Sequence, residues 1–115
     1  MSNQLPLVKG TLDALVLRAL AWAPMHGFEI TSWLEDRTGG ALGIDDSALY
    51  QALHRMEERG WVNTEWGITE NNRRARYYSL TRSGVAHLAA ETKRWVRYAE
   101  IVTTVLTAKT KSSEA

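Results

Sequence analysis

The sequence predicts a mainly α-helical fold with a small β-hairpin: three helices before the hairpin and one long helix after it. Three observations predict this. Apolar residues recur at helical spacing, with breaks, from Leu12 to Met56. Between Trp61 and Leu80 the period shortens to that of a strand, in segments rich in aromatic and β-branched residues. Helical spacing then resumes at Val85 and holds to Leu106.

The first helix is expected from Thr11 to Ala23, with Leu12, Leu15, Val16, Ala19 and Leu20 on one buried stripe. Gly10 or Thr11 can cap it, Asp13 suits its positive end, and Pro24 stops it. A second helix is expected from Gly27 to Thr38, with Phe28 near its start. Ile30, Trp33 and Leu34 face inward, and Gly39-Gly40 ends it. Ala41 to Ile44 reads as a short extended link.

The third helix is expected from Asp46 to Arg59, capped by Asp45 or Asp46 and closed by Gly60. Leu49, Ala52, Leu53 and Met56 form its apolar stripe, and Ser47, Tyr50, Gln51, His54 and Arg55 fall on the opposite face. Trp61–Trp66 and Arg76–Leu80 then alternate as strands around a polar loop, Gly67–Ala75. Thr81 caps a last helix reaching about Ala108. Its stripe of Val85, Leu88, Ala89, Thr92, Trp95, Val96, Ala99, Val102, Thr103 and Leu106 is longer than so small a domain can cover. A second copy of the chain is the simplest cover. Three helices and a two-stranded wing describe a winged helix-turn-helix over residues 7–80, with a C-terminal dimerisation helix over residues 81–108.

Composition bounds the function. A chain of 115 residues with 44% hydrophobic content suits one compact domain. It has no cysteine, which excludes disulfides and thiolate metal sites. Met1 to Pro6 lacks a basic start followed by an apolar run, so no secretory signal is expected. The apolar stretch from Ala14 to Met25 is interrupted by Arg18 and Pro24 and is too short for a bilayer. A cytoplasmic protein with no membrane partner is therefore expected, with polar, frayed ends outside the folded part.

The net charge of +1 does not by itself indicate a nucleic-acid binder; charge placement does. Asn71-Asn72-Arg73-Arg74-Ala75-Arg76 holds three arginines and no acid. The polar face of the third helix offers a hydroxyl, a phenol, an amide, an imidazole and a guanidinium, groups that hydrogen-bond base edges and phosphates from a helix in the major groove. Taken alone, that face is more simply a solvated one, and the arginines read equally as a solvated cluster or a phosphate grip. Following one another within a dozen or so residues, they make double-stranded DNA the expected partner, with Asn72 at the interface and Arg73, Arg74 and Arg76 gripping phosphates or entering a minor groove.

Of the five tryptophans, Trp22, Trp33, Trp61 and Trp66 are expected in the core or at its edge. Trp95 lies on the long helix's stripe, where it packs a dimer interface or walls a site for a flat apolar ligand. Enzyme signals are weak. His26, His54 and His87 lack metal-ligand spacing, Gly39–Gly43 is no phosphate loop, and Asp45-Asp46 and Glu57-Glu58 suit capping and solvated faces. No cofactor and no catalytic activity are expected.

Gly10-Thr11-Leu12-Asp13, Met25-His26-Gly27-Phe28-Glu29-Ile30 and Ala48–Glu57 resemble the PadR family of bacterial transcriptional regulators. So do Gly60-Trp61-Val62 and Asn71–Thr81, and the likeness runs from Leu7 to Leu106. The resemblance implies a homodimeric winged-helix repressor of the short class, binding an inverted-repeat operator. It implies that Ser47, Tyr50, Gln51, His54 and Arg55 face DNA. It implies dimerisation through the last helix (Leu88, Trp95, Val96, Ala99, Val102 and Leu106) and, by analogy, release by a small aromatic or lipophilic effector at Trp95. The family often has proline where Gln51 stands and glycine at or beside Ala48, which bears on base preference rather than on fold. The alternative is a winged-helix protein-interaction module that does not touch DNA.

Overall fold

The computed structural model describes residues 4–111; of the ends expected to fray, the first few residues and Lys109 to Ala115, residues 1–3 and 112–115 lie outside the described residues. Its elements run α1 (Thr11–Leu20), β1 (Met25–His26), α2 (Gly27–Thr38), α3 (Asp46–Glu58), β2 (Val62–Ile68), β3 (Arg74–Leu80) and α4 (Arg82–Leu106). The three strands form one antiparallel sheet in the order β1-β3-β2. The architecture is a winged helix with a long C-terminal helix, as the periodicity predicts.

The largest departures from expectation are at the end of α1 and at the tip of the hairpin. α1 stops at Leu20, before Pro24, because Met25 and His26 leave the helical register to pair with Tyr78 and Tyr77. The residue before a proline already disfavours helix, so the chain turns at Ala21–Ala23 and enters an extended segment too short to show a period. The hairpin is also longer than expected. β2 runs to Ile68 and β3 starts at Arg74, leaving a turn of Thr69–Arg73. In it the Thr69 amide donates to the Arg73 carbonyl at 2.8 Å, and Asn72 takes a left-handed φ of 59°, which asparagine tolerates.

The starts of α2, α3 and α4 are capped by side chains. The Asp45 carboxylate accepts from the Ala48 amide at 2.8 Å at the head of α3. At α2 the His26 ring nitrogen accepts from the Glu29 amide while the Glu29 carboxylate accepts from the His26 amide, a reciprocal capping box. The cap of α1 is Gly10 in a left-handed conformation, while the Thr11 hydroxyl donates back to the Val8 carbonyl.

The core joins Val16, Leu17, Ala19 and Leu20 of α1, Ile30 and Leu34 of α2, and Leu49, Ala52, Leu53 and Met56 of α3. Val62, Tyr78 and Leu88 complete it from β2, β3 and α4. Leu17, absent from the expected stripe, is wholly buried because α1 is covered on more than one side. Trp33 and Trp61 pack at the core's edge, whereas Trp22 and Trp66 are 68% and 56% exposed, against expectation. Trp22 falls in the turn beyond α1, and Trp66 lies on the distal half of the hairpin, away from the buried core.

α4 is anchored at its first turn. The Thr81 hydroxyl accepts from the Gly84 amide at 3.0 Å and donates to the Gly60 carbonyl, fastening the end of α3 to the start of α4. Trp61 stacks on His87 at 3.7 Å between ring centroids. Gly84 is buried against the Trp61 backbone, and a Cβ there would collide with the Trp61 carbonyl oxygen. Although alanine normally improves a helix, Gly84→Ala is expected to destabilise the fold by about 1–3 kcal/mol through overpacking. Urea unfolding measures this, and a stabilised variant would mean that α4 does not sit on Trp61.

Candidate nucleic-acid interface

α3 has two faces with separate duties. Leu49, Ala52, Leu53 and Met56 are buried, which turns Ser47, Tyr50, Gln51, His54 and Arg55 outward along a shallow groove. All five are exposed, but they are not equally free. Arg55 donates to Asp13 of α1 at 2.7 Å, so its guanidinium fastens α3 to α1. His54 lies 3.7 Å from Glu58 one turn on. The phenol of Tyr50 rests against Gly27 at the start of α2, where a Cβ would displace it. Gly27 thus permits the close approach that sets the Tyr50 ring.

Beside this face, the start of α2, Tyr50 and the wing enclose a cleft of about 640 Å³. Its lining includes His26, Phe28 and Tyr77, the arginines Arg73, Arg74 and Arg76, and the acids Glu29 and Glu70. His26 lies edge to face with Tyr77 at 5.3 Å. The structure therefore brings Tyr50 of the expected helix face into one cleft with the three expected arginines, while Ser47, Gln51, His54 and Arg55 line the adjoining surface of α3.

The register differentiates the arginines. Trp66 pairs with Arg76 and Ile68 with Arg74, so both arginines share the face of β3 that holds buried Tyr78. Arg76 reaches Glu57 at 3.7 Å and donates to the Thr64 hydroxyl at 3.3 Å. Arg74 lies over the Trp66 ring at 4.5 Å from its centroid. Arg73 sits at the turn with Asn72, both exposed. Burial pushes the Tyr78 phenol above its ordinary value, with Arg76 opposing and Tyr50 and Glu57 adding to the rise. Tyr78 thus stays a neutral hydroxyl beneath the arginines. Thr64, Glu57 and Trp66 were not marked by the sequence as part of this cluster. The cross-strand pairing of two alternating segments is the signal that could have placed Trp66 there.

The residues expected on the dimer stripe of α4 separate into two groups. Leu88 turns inward and is 5% exposed within the protomer's own core, so it does not belong to an open surface. Trp95 is half-buried in a groove of about 290 Å³ between α1 and α4, lined also by Ala14, Leu15, Thr92 and Val96. Its indole N–H is buried and has no hydrogen-bond partner among the described residues. Val96, Ala99, Val102 and Leu106 are exposed, as are Tyr98, Ile101 and Val105, which the expected stripe omitted. On the same helix Arg94 grips Glu91 through two hydrogen bonds at 2.7 and 2.8 Å, and these hold the Glu91 carboxyl below its usual range. Among the described residues no group of three or more His, Asp or Glu side chains is placed to hold a metal ion, and no helix is long and apolar enough to cross a membrane.

The sequence model of the transcriptional regulator PadR-like family matches residues 16–90 of this chain. A Streptococcus mutans protein of known crystal structure is 25% identical, with 95% of this chain and 98% of that one superposed at a TM-score of 0.80. A PadR family transcriptional regulator from Eggerthella lenta is 27% identical over 88% of this chain and 86% of that one, at a TM-score of 0.74. An uncharacterized protein of Lysinibacillus sphaericus is 27% identical over 96 residues, covering 84% of this chain and 88% of that protein.

Proposed function

The chain belongs to the PadR-like family of transcriptional regulators, and from that premise we propose that it is a cytoplasmic homodimeric repressor that binds an inverted-repeat operator in double-stranded DNA. The observation that carries this reading is that Tyr50, on the outward face of α3, lines one cleft with Arg73, Arg74 and Arg76 of the wing. Residues 7–80 would form the DNA-binding unit and residues 81–108 the dimerisation helix. Ser47, Tyr50, Gln51 and His54 would meet base edges in the major groove, with Arg55 at the margin because it also holds Asp13. Asn72, Arg73, Arg74 and Arg76 would lie along phosphates. Two copies of α3 would enter successive major grooves about 34 Å apart.

The Arg73 side chain makes no ion pair or ring contact among the described residues, unlike those of Arg74 and Arg76, and supplies the cleanest test. With the promoter of the protein's own gene as probe, affinity should fall as salt rises. Arg73→Ala should lower the magnitude of the slope of log affinity on log salt by about 1. Equal slopes for the two proteins would contradict the phosphate role.

The dimer is supported by the exposed apolar residues of the distal half of α4. Leu106 is 78% exposed and Val105 69%, and isolated apolar helices of this kind seek a partner. A charge on this surface, in Val102→Glu, should convert a dimer to a monomer by light scattering with the circular dichroism retained. It should also weaken operator binding by about 100-fold or more, because the second half-site contact is no longer intramolecular. A Val102→Glu protein that remains dimeric would remove α4 from the interface.

Trp95, with its unsatisfied N–H beside an apolar groove, supports a site for a small aromatic or lipophilic effector. Planar aromatic compounds should quench tryptophan fluorescence and release the protein from DNA. Release that persists unchanged in Trp95→Ala would move the effector elsewhere.

A further inference from the structure

We propose that Trp66 is a positioning residue of the DNA interface, acting through Arg74: its exposed indole face holds the Arg74 guanidinium in place on the wing. This rests on the DNA-binding reading above and adds to it a residue that makes none of the expected contacts itself. Trp66 is 56% exposed and is absent from the buried core, so its packing does not account for a tryptophan at this position. What it touches is cationic. Arg74 lies 4.5 Å from the ring centroid and Arg76 5.9 Å. The antiparallel register accounts for this, because Trp66 is directly opposite Arg76 and diagonal to Arg74 on one face of the sheet.

The two arginines differ in what else restrains them. Arg76 is braced by Glu57 and by the Thr64 hydroxyl, which fix its position and offset part of its charge. Arg74 forms no ion pair among the described residues; the indole is its restraint, and an indole does not neutralise the positive charge it holds. A guanidinium over an aromatic face keeps its edge donors available while its long side chain loses much of its freedom before any ligand arrives. An arginine so held loses less entropy on gripping a phosphate than one that must be ordered by the contact itself.

A double-mutant cycle on operator binding by the full-length protein tests this. Trp66→Leu should weaken binding about two- to fivefold, the equivalent of one exposed cation–π contact. Trp66→Phe, which keeps an aromatic face, should recover most of the loss. In an Arg74→Ala background, Trp66→Leu should cost nothing further. An equal loss in both backgrounds would overturn the proposal, since Trp66 would then act by holding the hairpin or by touching DNA directly. Failure of the unaltered protein to bind the operator would instead overturn the DNA-binding reading itself, and this proposal with it.

Discussion

The apolar stripe of α3 is the constraint on which the rest of the structure depends. Leu49, Ala52, Leu53 and Met56 are each at most 1% exposed, and α1 and β2 close over them. A helix held so firmly on one side has no rotational freedom left, so Ser47, Tyr50, Gln51 and His54 have a fixed bearing. The Arg55–Asp13 pair and the Gly27–Tyr50 approach refine that bearing from α1 and from the start of α2. The polar face is exposed because the apolar face is not, and no separate device is needed to present it.

The wing is positioned by the same core. Val62 and Tyr78 lie at the buried base of the sheet, and the strand period then sets which side chains follow on that face. Trp66, Ile68, Arg74 and Arg76 follow at the exposed end. A stretch that reads as three equivalent arginines becomes three distinct ones. Arg73 is at the turn, Arg74 rests on an indole, and Arg76 is tied back to Glu57 of α3. The arginines are thus tied to α3 through Glu57, while the Thr64 hydroxyl and the Trp66 ring hold them from the neighbouring strand.

Much of this was legible in the sequence because it follows from period. The four helices, the hairpin, the α3 stripe and the outward set opposite it all come from spacings of about 3.6 and 2. What was not legible depends on contacts between segments distant in sequence. β1 is two residues long and exists only because β3 lies beside it, so no local pattern could announce it, and with it went the true end of α1. Trp22 and Trp66 are apolar by composition but fall beyond the reach of the core. Leu88 sits on a stripe continuous with Val96 and Leu106, yet only the proximal part of that stripe meets α1; the helix simply outruns the domain. The pairing of Arg55 with Asp13 spans 42 positions and has no signature at all in either segment.

The central claim is that two α3 faces and two wings meet one duplex together. Hydroxyl-radical footprinting of the protein on its own promoter tests it most directly. Two protected blocks on one face of the DNA, centred about one helical turn apart and related by a two-fold axis, are predicted. A single block without two-fold symmetry, or no protection at low salt, would contradict it.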